Sequence, residues 1–130
     1  MKIHHVGYLV KKIGKATKAF EDLGFVAMAP QVYDQIRDID ILFMEKDGYV
    51  IELVSPKSPD SVVSNLMKKL GNTPYHFCYE TEDIVATADK LSKEGYVIID
   101  EPTVAVAIEG RKVIFLMHPF MGMIELVEKA

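Results

Sequence analysis

Hydrophobic positions along this chain recur every second residue in some stretches and every third or fourth residue in others. Residues 3–10 are rich in β-branched and aromatic side chains and predict a strand, whereas the apolar residues of 13–23 recur at helical spacing. Gly24 is expected to end this helix, and Asp47-Gly48 is typical of a tight hairpin turn. The first part of the chain therefore predicts a βαβββ order. Its last three strands are expected at residues 25–32, 39–45 and 49–54.

The same order of elements follows a second time. A strand is predicted over residues 75–81 and a helix over residues 83–94, which Gly95 is expected to end. Between the two halves, the prolines of SPKSPDS interrupt regular structure, and residues 62–70 are expected to form a short helix. The remaining strands are expected at residues 96–99, 111–118 and 122–127. This pattern predicts an α+β fold of two βαβββ modules, repeats 1–54 and 75–130, joined by linker 55–74.

An internal duplication accounts for the repeated order. The first strand and helix of each half align at a distance of 71 positions, which pairs His5 with His76. The last strands align at 73 positions, so Glu52 in the first IELV segment pairs with Glu125 in the second. Two half-domains that share one core fit a chain of 130 residues better than two independent domains do. A single domain over residues 1–130 is therefore expected.

A histidine and a glutamate recur in each copy, and both lie in predicted strands. Side chains of a strand alternate between its two faces, so His5 and the preceding His4 are expected to point in opposite directions. Glu52 and Glu125 have aliphatic neighbours that would pack against the helices, which turns both carboxylates toward the concave face of the sheet. A buried carboxylate is costly unless it is paired or bound to a metal. For His4 we expect a structural role, and for His118 a position at the surface or the rim.

Two imidazoles and two carboxylates in matching repeat positions predict a site for one divalent metal ion. A mixed set of nitrogen and oxygen donors suits Co, Ni, Zn, Mn or Mg with open positions for water, whereas a structural zinc site would more often contain cysteines. The expected ligands are His5, Glu52, His76 and Glu125.

Composition narrows the compartment and the partners. No apolar run approaches the length of a membrane span and no signal-peptide pattern is present, so a cytoplasmic protein without a membrane partner is expected. The single cysteine, Cys78, cannot form an intramolecular disulfide and is expected in the core. A net charge of −4 without a basic stripe argues against nucleic acid as a partner.

These features together resemble the vicinal oxygen chelate superfamily, which includes glyoxalase I, methylmalonyl-CoA epimerase, extradiol dioxygenases and bleomycin-resistance proteins. The resemblance covers nearly the whole chain, and the segments HHVGYLVKKI, QIRDIDILFM, IELVSPKSP and HFCYETEDI look most like the methylmalonyl-CoA epimerase subgroup. It implies that each module curls into half a barrel, so that the chain forms a curved, half-open barrel around a metal site. It also implies metal ligands from the first and last strands of paired modules, which are the strands of His5, Glu52, His76 and Glu125.

Two positions differ from the patterns of particular subgroups. Gln31 stands where such epimerases usually carry a glutamate that acts as a second acid or base, and an amide cannot abstract a proton. Leu9 stands where glyoxalase I usually carries an arginine for glutathione. Arg37 and Arg111 precede the third strand of each half and, with Gln31, are the candidates for substrate binding through a carboxylate or phosphate. A solvated strand end is the alternative role for both arginines.

The resemblance implies a divalent-metal-dependent isomerase or lyase that moves a proton next to a metal-bound carbonyl, with Glu125 or Glu52 as the base. The expected substrate is a small carbonyl compound or acyl thioester, most like methylmalonyl-CoA. Lactoylglutathione lyase activity is one alternative, and a metal-free binding protein of the bleomycin-resistance type is another. A ring-cleaving dioxygenase fits less well, because such enzymes generally lack a fourth protein ligand. A homodimer is expected, since curved sheets of this kind leave an edge that a second chain covers.

Overall fold

Ten β-strands and three α-helices make up the fold in the computed structural model, which describes all residues 1–130. The strands are β1 (Lys2–Leu9), β2 (Val26–Ala27), β3 (Val32–Asp34), β4 (Ile39–Lys46), β5 (Tyr49–Pro56), β6 (Thr73–Thr81), β7 (Val97–Ile98), β8 (Thr103–Ala105), β9 (Arg111–His118) and β10 (Gly122–Glu128). The helices are α1 (Ile13–Asp22), α2 (Ser64–Leu70) and α3 (Ile84–Ser92). The predicted α+β class is confirmed. None of the helices has the length and apolar character needed to span a membrane.

The chain divides into two compact units, a first unit of residues 6–75 and a second unit of residues 1–5 together with 76–130. In the first unit the strand order is β2-β4-β5-β1, and β3 also pairs with β4. In the second unit the order is β1-β6-β10-β9-β7, and β8 also pairs with β9. Neither order closes on itself. The unit boundary falls within β1 and therefore differs from the repeat boundaries, and the single domain built from two repeats stays a prediction.

Strands β4 and β5 form the central hairpin of the first unit. Lys46 pairs with Tyr49, which leaves a two-residue turn at Asp47-Gly48 with φ angles of 53° and 84°. Positive φ at both turn positions is the type I′ geometry that an Asp-Gly pair favours, and the predicted turn is confirmed. On its other side β5 pairs in parallel with β1, and Gly7 lies opposite Glu52 in this register.

Helices α1 and α3 each cover one face of the sheet in their own unit. Ile51 and Leu53 of β5 belong to a core that α1 contacts, and Ile124 and Leu126 of β10 pack in a core with α3. These aliphatic residues flank the two glutamates of the repeated IELV segments. Because side chains alternate along a strand, both carboxylates point to the face away from the helices, as predicted.

Strand predictions were less accurate where the extended segments are short. The continuous run predicted at residues 25–32 is wrong, since the structure contains only β2 and β3 there. Pro30 lies between these two strands and has no backbone N–H to donate to β4. In the second half, the strand predicted at residues 96–99 shortens to β7, and β8 is too short to show a period in the sequence. Each half thus has a βαββββ order.

Candidate metal centre

Three of the four predicted ligands converge within the second unit. His5 lies on β1, His76 on β6 and Glu125 on β10, and their exposed fractions are only 1%, 3% and 4%. The parallel pairing of β6 with β10 places Glu125 opposite Cys78, two positions along β6 from His76. Alternation of side chains therefore turns His76 and Glu125 to the same face of the sheet.

The donor atoms of these three residues are close enough to share one ion. Glu125 Oε1 lies 3.2 Å from His5 Nε2 and 3.1 Å from His76 Nε2, and the two Nε2 atoms are 3.4 Å apart. Ligands at right angles around one ion, each about 2.1 Å from it, lie about 3.0 Å from one another. Two imidazoles and a carboxylate are also a donor set that divalent transition ions prefer. The residues present therefore fit a divalent metal.

Hydrogen bonds keep Glu125 in its charged form. Burial by itself would raise the pKa of this carboxyl, but hydrogen bonds from His5 and His76 outweigh burial and hold the pKa well below its usual range. In this arrangement the Nε2–H groups of both histidines donate hydrogen bonds to the carboxylate. A bound cation would replace those two protons, since metal ligands must be deprotonated.

His4 contacts His5 although the two neighbours leave the strand on opposite faces. Its Nδ1 lies 2.8 Å from His5 Nδ1, and the rings meet edge to face at 80°. Burial, followed by the charge of His5, lowers the pKa of His4 and favours the neutral imidazole. A histidine that binds a metal through Nε2 carries its proton on Nδ1, and the Nδ1 atom of His4 is placed to accept a hydrogen bond from that N–H group. The structural role predicted for His4 thus includes orienting His5.

Glu52 lies on β5 in the first unit. It is 6% exposed, and Phe43 of β4 lies opposite it. The alternation that turns Ile51 and Leu53 toward α1 turns the Glu52 carboxylate to the other face of the sheet. A carboxylate buried to this degree requires a charged or hydrogen-bonding partner. Its role as a fourth metal ligand stays a prediction.

Both candidate arginines are largely buried and are engaged by carboxylates. Arg37 Nη1 donates to Asp34 Oδ2 at 2.7 Å, and 12% of the arginine side chain is exposed. Arg111 donates from Nη2 to Glu80 and from Nε to the carbonyl oxygen of Glu128, and 11% of its side chain is exposed. The alternative of a solvated strand end is therefore wrong for both. Sequence reasoning missed the partners: Asp34 precedes Arg37 by three positions, a detectable spacing, but Glu80 is 31 positions from Arg111 and leaves no local signal.

The remaining candidate positions have simpler surroundings. Gln31 is exposed in the segment between β2 and β3. Cys78 is buried in the core, as predicted. His118 ends β9 and is only partly buried, and its Nδ1 accepts a hydrogen bond from the backbone N–H of Phe120. This partial exposure at a strand end agrees with the surface or rim position expected for His118.

Comparisons with known proteins point to one family. Residues 4–115 match the model of the glyoxalase/bleomycin resistance protein/dioxygenase superfamily. An ethylmalonyl-CoA/methylmalonyl-CoA epimerase from Cereibacter sphaeroides is 28% identical over 120 residues, which are 91% of this chain and 88% of that protein. Two solved structures share the fold. The methylmalonyl-CoA epimerase of Mycobacterium tuberculosis matches with a TM-score of 0.84 and 24% identity, and the match covers 98% of this chain and 87% of that chain. A variant methylmalonyl-CoA epimerase of Streptomyces coelicolor, in complex with 2-nitronate-propionyl-CoA, matches with a TM-score of 0.85 and 21% identity. This match covers 100% of this chain and 95% of that chain. Because the family model matches most of its length, the chain belongs to the glyoxalase/bleomycin resistance protein/dioxygenase superfamily.

Proposed function

We propose that this protein is a metal-dependent epimerase of a 2-substituted acyl-CoA, which removes and returns the proton next to the thioester carbonyl. The observation that carries the proposal is the buried convergence of His5, His76 and Glu125, whose donor atoms lie within 4.8 Å of one another. The name of the Cereibacter relative, an ethylmalonyl-CoA/methylmalonyl-CoA epimerase, supports the choice of reaction.

The proposed ligands are His5, His76 and Glu125, with Glu52 as the fourth. The repeat supports Glu52, because Glu52 holds in the first IELV segment the position that Glu125 holds in the second. A divalent Co, Ni, Zn, Mn or Mg ion held by this set would act as a Lewis acid toward the thioester carbonyl oxygen.

The two glutamates are proposed to move the proton. Epimerisation requires that a proton leave one face of the α-carbon and that another return to the opposite face. Glu52 and Glu125 come from repeat-related strands, which suits them to opposite sides of a substrate. We therefore assign an Oε atom of Glu125 as proton acceptor for one epimer and an Oε atom of Glu52 for the other.

The proposed substrate is a malonyl-type acyl-CoA with a small alkyl group at C2. The Cereibacter relative is named for ethylmalonyl-CoA and methylmalonyl-CoA, and the Streptomyces structure holds 2-nitronate-propionyl-CoA. Glu80 lies four positions from His76 on β6, so alternation puts the Arg111–Glu80 pair on the face of the metal ligands. Arg111 is therefore a proposed contact for the substrate carboxylate. Arg37 and Gln31 are proposed contacts from the first unit.

Metal content tests the ligand set. The purified protein should retain about one divalent ion per chain by elemental analysis, and the double variant His5→Ala/His76→Ala should retain none, because it loses both nitrogen ligands. His118→Ala is the matched control, since it removes an imidazole from the rim of the same unit. Metal retained in the double variant would overturn the assignment.

Exchange of the α-proton tests the reaction. In heavy water the protein should incorporate deuterium at C2 of methylmalonyl-CoA. Glu125→Gln should keep the fold and some metal but lose exchange from one epimer, and Glu52→Gln should lose exchange from the other, because an amide cannot accept the proton. Undiminished metal-dependent exchange in both variants would refute the assignment of the glutamates.

A comparison substrate separates the alternative functions. The hemithioacetal of methylglyoxal and glutathione carries a different proton next to a carbonyl. Turnover of this compound without exchange in methylmalonyl-CoA would identify a lyase of the glyoxalase I type. Binding of either compound without proton exchange would identify a ligand-sequestering protein. Either of these outcomes, lyase activity or binding alone, would contradict the epimerase proposal.

A further inference from the structure

A cavity of about 540 Å³ lies beside α1 in the first unit, and the proposed epimerase reaction does not use it. Tyr8 near the end of β1, the following Val10 and Lys11, and Asn72 form part of its lining. Cavities of this volume are within the range that small molecules occupy. The rest of the wall is one face of α1 together with the residues that flank the helix, and we call this set the α1 stripe. Its residues recur three or four positions apart: Lys12, Lys15, Ala16, Ala19, Phe20 and Leu23.

The duplication supplies an internal reference for this stripe, because α3 is the equivalent helix 71 positions later. The equivalents of Ala19 and Leu23 are Lys90 and Glu94, which are exposed as expected for a helix face that meets water. Helix α3 also has fully buried residues, whereas α1 has none. Helix α1 therefore presents apolar side chains to the cavity where its repeat partner presents charges to solvent.

The charges at the starts of the two helices are also opposite. Asp83 caps α3, and its side chain accepts a hydrogen bond from the backbone N–H of Ala86 at 3.0 Å. The equivalent residue at α1 is Lys12, which makes no side-chain capping bond and has Lys11 and Lys15 beside it in the cavity lining. Positive charge at a helix N-terminus is unfavourable, and aspartate is among the preferred caps. Since no carboxylate lines the cavity, one of its ends is positively charged.

We propose that this cavity binds a linear amphiphilic anion, with its carboxylate or phosphate head at Lys11, Lys12 and Lys15 and its apolar chain along α1 toward Leu23. A helix rises about 1.5 Å per residue, so the distance from Lys15 to Leu23 is about 12 Å, which suits a medium-length acyl chain. The head offsets the positive charge at the helix start, and the chain removes the apolar stripe from water. This site goes beyond the epimerase proposal and does not depend on it.

A matched set of probes tests the site. In calorimetric titrations below the critical micelle concentration, decanoate or decyl phosphate should bind saturably at one molecule per chain, and the stronger of the two identifies the preferred head. The affinity for inorganic phosphate, decanol and decyltrimethylammonium should be lower by about ten-fold or more. Each of these probes lacks either the apolar chain or the negative charge. Equal binding of the cationic and anionic probes, or no saturable binding of either anion, would overturn the proposal.

Variants that give α1 the residues of α3 provide the structural controls. Lys12→Asp with Lys15→Ala should weaken binding of the anion about ten-fold yet raise Tm, because an acidic cap replaces a basic one. Ala19→Lys with Leu23→Glu should block the chain. Lys18→Ala removes an exposed lysine of the same helix, outside the lining, and should leave binding unchanged. Unaltered affinity in both double variants would refute the site, whatever the metal content of the protein.

Discussion

Replacing His4 by alanine should weaken metal binding at His5 without removing the metal site. The hydrogen bond that is lost joins the two Nδ1 atoms over 2.8 Å, and His5 is 1% exposed, so bulk water does not readily replace it. Such a bond contributes about 0.5–1.5 kcal/mol, and loss of the group that orients a ligating histidine weakens metal binding about 10–100-fold. The two ranges overlap near 1.4 kcal/mol, which is about ten-fold in an equilibrium constant. We therefore expect a dissociation constant about ten-fold higher for His4→Ala.

Competition with a chromophoric chelator for Co²⁺ or Zn²⁺ measures this change. At saturating metal, His4→Ala should still bind about one ion per chain, since all the proposed ligands remain. His4→Asn keeps a side-chain oxygen that can accept a hydrogen bond and should recover part of the affinity. His118→Ala should match the unaltered protein. Equal dissociation constants for the unaltered protein and His4→Ala would refute the reasoning.

Assembly and stability offer further checks. We expect a homodimer whose interface buries the outer faces of β1 and β6. Light scattering at micromolar concentration should give the mass of a dimer, and a monomer mass would contradict this. Leu126→Ala should lower the free energy of unfolding in urea by about 2–5 kcal/mol, because Leu126 is fully buried against α3, whereas Val85→Ala on the exposed side of α3 should change it little. The hydrogen bond from Arg111 lowers the pKa of Glu80 below its usual 4.5, so this pair should stabilise the fold above pH 4.5 and lose that contribution as the pH falls through the lowered pKa. The difference in unfolding free energy between the unaltered protein and Glu80→Gln should accordingly vanish in acid, and a difference that persists there would show another cause.

The amino-acid sequence by itself determines the main elements and the face of each strand that the helices cover. Hydrophobic residues that recur every two positions predict strands, and those that recur every three to four positions predict helices. These spacings suffice because they reflect contacts between near neighbours along the chain. The turn at Asp47-Gly48 is local for the same reason. Matching repeat positions then identify His5, Glu52, His76 and Glu125 as candidate ligands before any distance is known, since a duplicated carboxylate in an aliphatic strand requires a partner. The superfamily could be recognised from the same residues.

Only the tertiary structure decides which atoms meet. The contact between His76 and Glu125 joins residues 49 positions apart, and the pair of Arg111 with Glu80 joins residues 31 positions apart. Strands β3 and β8 exist because β4 and β9 supply hydrogen bonds that a three-residue segment cannot make alone. The cavity beside α1 depends in the same way on packing, because β1 and Asn72 complete its lining. Such pairings and voids arise when distant segments are brought together, and no local period in the sequence encodes them.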